Sequence, residues 1–180
     1  MHDRLRITFV TPPVNLSGGI RVIAIYADRL TRLGHQVTVV SPPQPTPGLK
    51  SRVRMALQGR GWPVVGKTAP SHLDGLDVEH HVIDRTRPID DGDVPDADVV
   101  VASWWETAEW VWSLPPEKGV KVHFIQDYET WGGYVERVDA TCRLPMPKIT
   151  PARWVQKLLA DRFGQTDVTC VPNAVDLGTF

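Results

Sequence analysis

The feature that most constrains this chain is a repeating alternation of short, near-continuous apolar runs with amphipathic stretches. Ile7-Thr8-Phe9-Val10, Val37-Thr38-Val39-Val40, Asp98-Val99-Val100-Val101-Ala102, Val120 to Ile125 and Val168-Thr169-Cys170-Val171 all read as strands. Runs this apolar suit parallel strands that are covered on both faces. After Ser17-Gly18-Gly19, the residues Ile20, Ile23, Ala24, Ala27 and Leu30 recur at helical spacing, and Gly34 closes that helix as a left-handed C′ residue. Trp104 to Leu114 is a tryptophan-rich helix stopped by Pro115-Pro116, in which Trp105, Ala108 and Trp112 form the stripe expected to pack in the core. Thr150-Pro151 supplies a cap and a first-turn proline for a helix running to about Phe163 and ending at Gly164. With Val78 to Ile83 and Lys148-Ile149 added, seven strand candidates alternate with helices. The pattern predicts an α/β fold: a Rossmann-like, doubly wound, mainly parallel sheet, which binds ligands beyond the carboxyl ends of its strands.

A chain of 180 residues suits one such domain, here 1–180. Its formal net charge of −1 argues against a nucleic-acid binder, for which a basic excess is the expected footprint. Cys142 and Cys170 are far apart and read as incidental thiols of a cytosolic protein. The start runs straight into a strand, and no apolar run is long enough to span a bilayer, so neither a signal peptide nor a membrane span is expected. Residues 42–75 read as a basic loop insertion with six prolines, five glycines and a single helical candidate at Ser51 to Gln58. Lys50, Arg52, Arg54, Arg60 and Lys67 are balanced by no acid between Ser41 and Leu73. Peripheral contact with anionic lipid or a lipid-linked acceptor is one reading of that segment, and a solvated loop is the other.

Three loops at strand ends could carry chemistry. Gly18-Gly19 clears side chains from a helix N-terminus, where unpaired N–H groups suit phosphate oxygens; a plain flexible connection reads equally well. It is not G-x-G-x-x-G, which speaks against a dinucleotide cofactor. Gln126-Asp127-Tyr128-Glu129 follows the fifth strand. Asp127 could bond sugar hydroxyls or deprotonate one of them, or could simply cap the next turn. Trp104 and Glu106 set an indole face beside a carboxylate, a pairing that suits the C–H faces and hydroxyls of a carbohydrate. Trp131-Gly132-Gly133-Tyr134 reads as a nearby lip. His80 and His81 point to opposite faces of a strand, His35 reads as structural, and Asp90-Asp91-Gly92-Asp93 reads as a solvated turn, so no metal site is expected.

Ser17-Gly18-Gly19-Ile20, Leu33-Gly34-His35-Gln36-Val37-Thr38-Val39 and the ending from Val171 to Phe180 together resemble GT-B glycosyltransferases of the GT4 type. Phe124-Ile125-Gln126-Asp127-Tyr128-Glu129 looks more narrowly like the rhamnosyltransferase-like branch of bacterial surface polysaccharide assembly. The resemblance implies two Rossmann-like domains across a cleft. The first takes the acceptor, and the second holds the nucleotide and a pair of acids. By that reading the chain is the N-terminal, acceptor-side domain, and Pro172 to Asp176 leads toward a C-terminal donor domain that the chain lacks. The isolated chain would then be inactive. Gly18 and Gly19 would close over the donor phosphates, Asp127 would be catalytic, and Trp104, Glu106, Gln126 and Tyr128 would bind acceptor or sugar. No cofactor is implied within the chain, the nucleotide sugar being a co-substrate and a glycan or glycolipid the acceptor. The location implied is cytoplasmic, at the inner face of the membrane. Ala174 departs from the family's usual glycine, and Gln126-Asp127 stands where relatives often have a histidine. The competing readings are a nucleotide-sugar epimerase on the same scaffold and a non-enzymatic glycan-binding module.

Overall fold

The computed structural model describes residues 4–45, 57–58 and 69–174. Most of the basic stretch, the helical candidate at Ser51 to Gln58 apart from its last two residues, and the chain from Val175 onward lie outside the described residues. In chain order the elements are β1 (Arg6–Val10), α1 (Gly18–Arg32), β2 (Gln36–Ser41), β3 (Glu79–Val82), β4 (Val99–Ala102) and α2 (Trp105–Ser113). There follow β5 (Val120–Phe124), α3 (Val135–Arg143), β6 (Lys148–Thr150), α4 (Arg153–Phe163) and β7 (Val168–Cys170), with 3₁₀ turns at Pro116–Lys118 and Thr130–Gly132. All seven strands lie in one sheet in the order β3-β2-β1-β4-β5-β6-β7, and every pairing is parallel. The expected α/β, Rossmann-like architecture is therefore present. Its order reverses between β1 and β4, which makes their carboxyl ends the switch point where such sheets open a crevice.

Strand alternation sorts the core into two faces. Ile7, Phe9, Val37, Val39, Val101, Val122 and Phe124 pack with Ile20, Ile23, Ala24 and Ala27 of α1. On the other face Val10, Val40, Val100 and Ala102 meet Ala108 and Val111 of α2. Beside them Ile125 and Val168 meet Trp105, Val138, Cys142, Val155 and Leu159 from α2, α3 and α4. Each fully buried aliphatic or aromatic side chain contributes about 1.5–3 kcal/mol, so both faces are needed. The second face also buries polar groups. Lys148 donates to the carbonyls of Leu144 and Met146 and to Gln165 Oε1, at 2.6, 3.0 and 3.2 Å. These three acceptors satisfy an ammonium taken out of water.

Two sequence expectations need correction, and one helix was not foreseen. The inward stripe of α2 is Trp105, Ala108 and Val111; Trp112 is 42% exposed and lies under the Lys121 ammonium instead. The cap of α4 is Ala152, because Thr150 is the last residue of β6 and its hydroxyl accepts the Ala152 N–H at 3.3 Å. Helix α3 has no clear signal in the sequence: its buried face is Val138, Thr141 and Cys142, too polar to register as apolar periodicity. His35 takes the structural role read for it, accepting the Leu5 N–H on Nδ1 at 3.2 Å. The described flanks of the basic insertion are stitched together by Gln44. It donates to the carbonyls of Val14 and Ala69, at 2.7 and 2.9 Å, and accepts the Ala69 N–H at 2.8 Å.

Candidate functional site

The loops that leave β1, β4 and β5 emerge side by side, because those strands are neighbours in the sheet. The β1 loop delivers Gly18 and Gly19, both exposed, to the first turn of α1. Its cap residue Ser17 makes no side-chain capping bond, so the N–H groups of that turn are left to other partners. The β5 loop reaches across to it: Gln126 Nε2 donates to the Gly19 carbonyl at 3.3 Å. A Cβ on Gly19 would sit 3.6 Å from that same nitrogen, whereas a Cβ on Gly18 would meet nothing within 4 Å. Two segments 107 residues apart in the chain thus meet at the switch point.

The β4 loop delivers Trp104 as the cap residue of α2 and Glu106 in its first turn. Thr107 shapes this start. Its Oγ1 accepts the Trp104 N–H at 2.9 Å and donates to the Trp104 carbonyl at 2.8 Å. The ring of Trp104 packs edge-on against Trp131, centroids 5.4 Å apart, and Trp131 is 72% exposed. Gly133, at φ +82°, turns the chain after Trp131, and Tyr134 then lies 5.3 Å from Trp105. The lip read from the sequence is therefore an aromatic wall tied to the start of α2. Glu106 is half-buried and adds negative charge near Arg137, whose guanidinium pairs with Glu109 and lies 4.5 Å from the Trp105 ring.

Asp127 is exposed and keeps one carboxylate oxygen on the Tyr128 N–H at 2.7 Å. Together with Trp104 and Trp105 it lines a small cavity of about 10 Å³. Tyr128 points elsewhere. Its hydroxyl donates to Asp139 of α3 at 2.5 Å, its ring lies 6.2 Å from Phe163, and Arg162 sits 5.2 Å from it. Burial, then the bond to Asp139, push the phenol up to about 12. Tyr128 thus ties the loop to α3 and α4.

Sequence reasoning placed the next residue in the same loop but gave it no role of its own. Glu129 is 8% exposed and lines the same cavity as Asp127. Its Oε2 accepts the Trp105 N–H at the start of α2, at 3.4 Å. Burial pushes its carboxyl up to about 8 from the ordinary 4.5; the Trp105 N–H opposes the shift and the nearby Asp127 charge adds to it. A carboxyl held protonated beside an exposed carboxylate is a pairing that divides acid and base roles. The sequence carried only the weak signal of a second acid two residues after Asp127, since the groups that bury Glu129 come from distant segments. The same cavity is lined by His123, 3% exposed, whose Nδ1 has no hydrogen-bond partner among the described residues. Burial, aided by Lys148, holds its pKa down at about 3, so it is neutral.

Among the described residues no three His, Cys, Asp or Glu side chains gather closely enough to hold a metal ion. Among them, too, no helix is long and apolar enough to cross a membrane. No protein-family model matches the chain, and no curated protein matches it by sequence. By structure it is similar to a glycosyltransferase from Rickettsia africae ESF-5, at 12% identity and a TM-score of 0.48 over 97% of this chain. The match covers 44% of that protein, so the chain spans less than half the length of the structure it resembles.

Proposed function

We propose that this chain is the acceptor-side domain of a glycosyltransferase that moves a hexosyl group from a nucleotide sugar to a glycan or glycolipid. The observation that carries this reading is the meeting, at one switch point, of a bare helix N-terminus, an aromatic wall and two unlike carboxyls. Each part suits one component of the reaction. Trp104 and Trp131 offer indole surface to the C–H face of a sugar ring. Asp127, exposed at the cavity mouth, accepts an acceptor hydroxyl proton when that hydroxyl comes within about 3 Å. Gly18 and Gly19 leave N–H groups and the positive end of α1 free for diphosphate oxygens. Gln126, fastened to Gly19, links the phosphate loop to the acceptor loop, and Glu106 accepts hydroxyl protons at the rim.

A second lobe, supplying most contacts to the nucleotide, belongs to this reading, as does work at the cytoplasmic face of the membrane. The finer choice of a rhamnosyl donor rests on the likeness of Phe124 to Glu129 to one branch of these enzymes. The epimerase alternative needs tight dinucleotide binding in the first βα turn, where Pro12 and Pro13 stand.

Titration of the chain with a panel of oligosaccharides and nucleotide sugars tests the proposal, with tryptophan fluorescence and calorimetry as readouts. The expected result is saturable oligosaccharide binding that perturbs tryptophan emission and is weakened about tenfold or more in Trp131→Ala. Nucleotide sugars alone are expected to bind weakly or not at all. Tight nucleotide-sugar binding without any oligosaccharide response would overturn the assignment in favour of an epimerase-like enzyme.

A further inference from the structure

The carboxyl of Glu129 lines the same cavity as Asp127 and Trp104 but is buried, so little of it is open to a ligand. We propose that Glu129 is a positioning residue: its buried carboxyl, accepting the Trp105 N–H, seats the first turn of α2 and so fixes the Trp104 wall against Asp127. The inference rests on the carbohydrate reading only for what the wall is used for.

The geometry supports it from three sides. Trp105 is the first residue of α2, so its N–H has no partner within the helix. Among the described residues the Glu129 oxygen is the acceptor it finds, at 3.4 Å, from a loop 24 residues away. The residue before it, Trp104, is the cap residue whose ring meets Trp131. Whatever moves the Trp105 amide therefore moves one half of the aromatic wall.

The surroundings of Glu129 decide its charge. On its own loop, Asp127 is a carboxylate that disfavours a second one. From α2 comes a single N–H. From α3 come Thr141 and the Cys142 thiol, which burial pushes up to about 11 and so keeps neutral. From β5 comes neutral His123. The nearest buried cation, Lys148 of β6, spends its protons on two carbonyls and Gln165. No cation among these faces the carboxyl, so it enters the fold as the acid. Its folded-state pKa lies above the ordinary value. The stabilisation of this seat is therefore complete below about pH 4.5 and is lost as pH rises through about 8. Ionisation strengthens the bond from the Trp105 N–H but leaves the rest of the carboxylate without partners against Trp104, Trp105, Val138 and Cys142, so water is drawn in beside the start of α2 and loosens its packing.

The test uses near-ultraviolet circular dichroism and tryptophan fluorescence of the whole chain between pH 6 and 9.5, without ligand. The wild type is expected to show a transition near pH 8. Glu129→Gln, which keeps an uncharged acceptor, is expected to hold the neutral-pH spectrum across the range. Glu129→Ala, which removes the acceptor, is expected to show the alkaline spectrum already at pH 7; should it fail to fold, the Gln variant still decides. A flat wild-type titration, or a transition that persists in Glu129→Gln, overturns the proposal. Oligosaccharide affinity forms a second arm. It is expected to fall several-fold between pH 7 and 9.5 in the wild type, as water enters beside the ionised carboxyl, and to stay flat with pH in Glu129→Gln. If the spectral transition is present but no oligosaccharide binds at any pH, the carbohydrate reading fails while the positioning role stands.

Discussion

Two glycines at opposite edges of the sheet show how differently its ends are built. Gly119, just before β5, holds φ at +104°, and a Cβ there would lie 2.6 Å from the Ala97 carbonyl oxygen and 2.9 Å from Asp98 backbone atoms. Gly18, just after the β1 loop, has open space around it. The amino edge around Gly119 is locked by paired backbone. Asp98 takes the Arg6 N–H at 2.7 Å and its guanidinium at 3.1 Å, the Asp98 N–H goes to the Arg6 carbonyl, and Val120 donates to Asp98. At the carboxyl edge backbone bonds also close the strands, Thr11 to the Val40 carbonyl at 3.0 Å and Ile125 to the Ile149 carbonyl at 2.8 Å, but the loops beyond them are joined by longer bonds, 3.3 Å from Gln126 to Gly19 and 3.4 Å from Trp105 to Glu129. The lesson is a division of labour along the strand direction. Backbone pairing closes both ends, and at the carboxyl end the loops that continue past it present side chains and N–H groups.

The contrast can be broken at three points, taken from the largest expected effect to the smallest. Gly119→Ala must bring Cβ against backbone that cannot step aside, at a φ that alanine resists. A loss of roughly 3 kcal/mol or more in denaturant unfolding is expected; a change under about 1 kcal/mol would show that the amino edge is not locked. Next comes the neutral His123 beneath the carboxyl edge. Its folded-state pKa lies below the ordinary 6.5, so the stability it contributes is present above about pH 6.5 and is lost as pH falls toward 3. Stability is expected to drop by roughly 3 kcal/mol between pH 6.5 and 4 from this group, and His123→Gln should flatten that limb of the curve. Equal acid sensitivity in the variant would assign the limb to other groups. Smallest is Gly18→Ala. With open space and a helical backbone, it is expected to leave stability unchanged or to raise it by about 0.5 kcal/mol. Destabilisation by more than about 1 kcal/mol would mean that the carboxyl edge is packed rather than presented.

Much of this fold could be read from the chain in advance. The central strands β1, β2 and β4 were legible as apolar runs buried on both faces, the shorter edge strands β3 and β7 less from composition than from their place in the alternation, and Gly34 and Gly164 marked helix ends because positive φ admits glycine without strain. Helix α3 was not legible, since Thr141 and Cys142 occupy positions where the pattern needs aliphatic residues. Trp112 misled because hydrophobicity gives no direction: one residue of helix rotation, about 100°, separates it from buried Val111. Gly18, Gly19, Trp104, Glu106, Gln126 and Asp127 were chosen by their place after strand ends, and the fold brings their loops to the same end of neighbouring strands. Tyr128 was chosen on the same ground, and its hydroxyl is taken up by Asp139.

Local sequence alone determined the strands, most of the helices and which loops would lie at the carboxyl edge, because periodicity and turn chemistry act over a few residues. Tertiary structure decided the rest. That Gln126 reaches Gly19, that Trp131 meets Trp104, and that Glu129 rather than Asp127 is the buried acid all depend on segments far apart in the chain. Burial and desolvation are set by what packs around a group, and no short stretch of sequence contains its own surroundings.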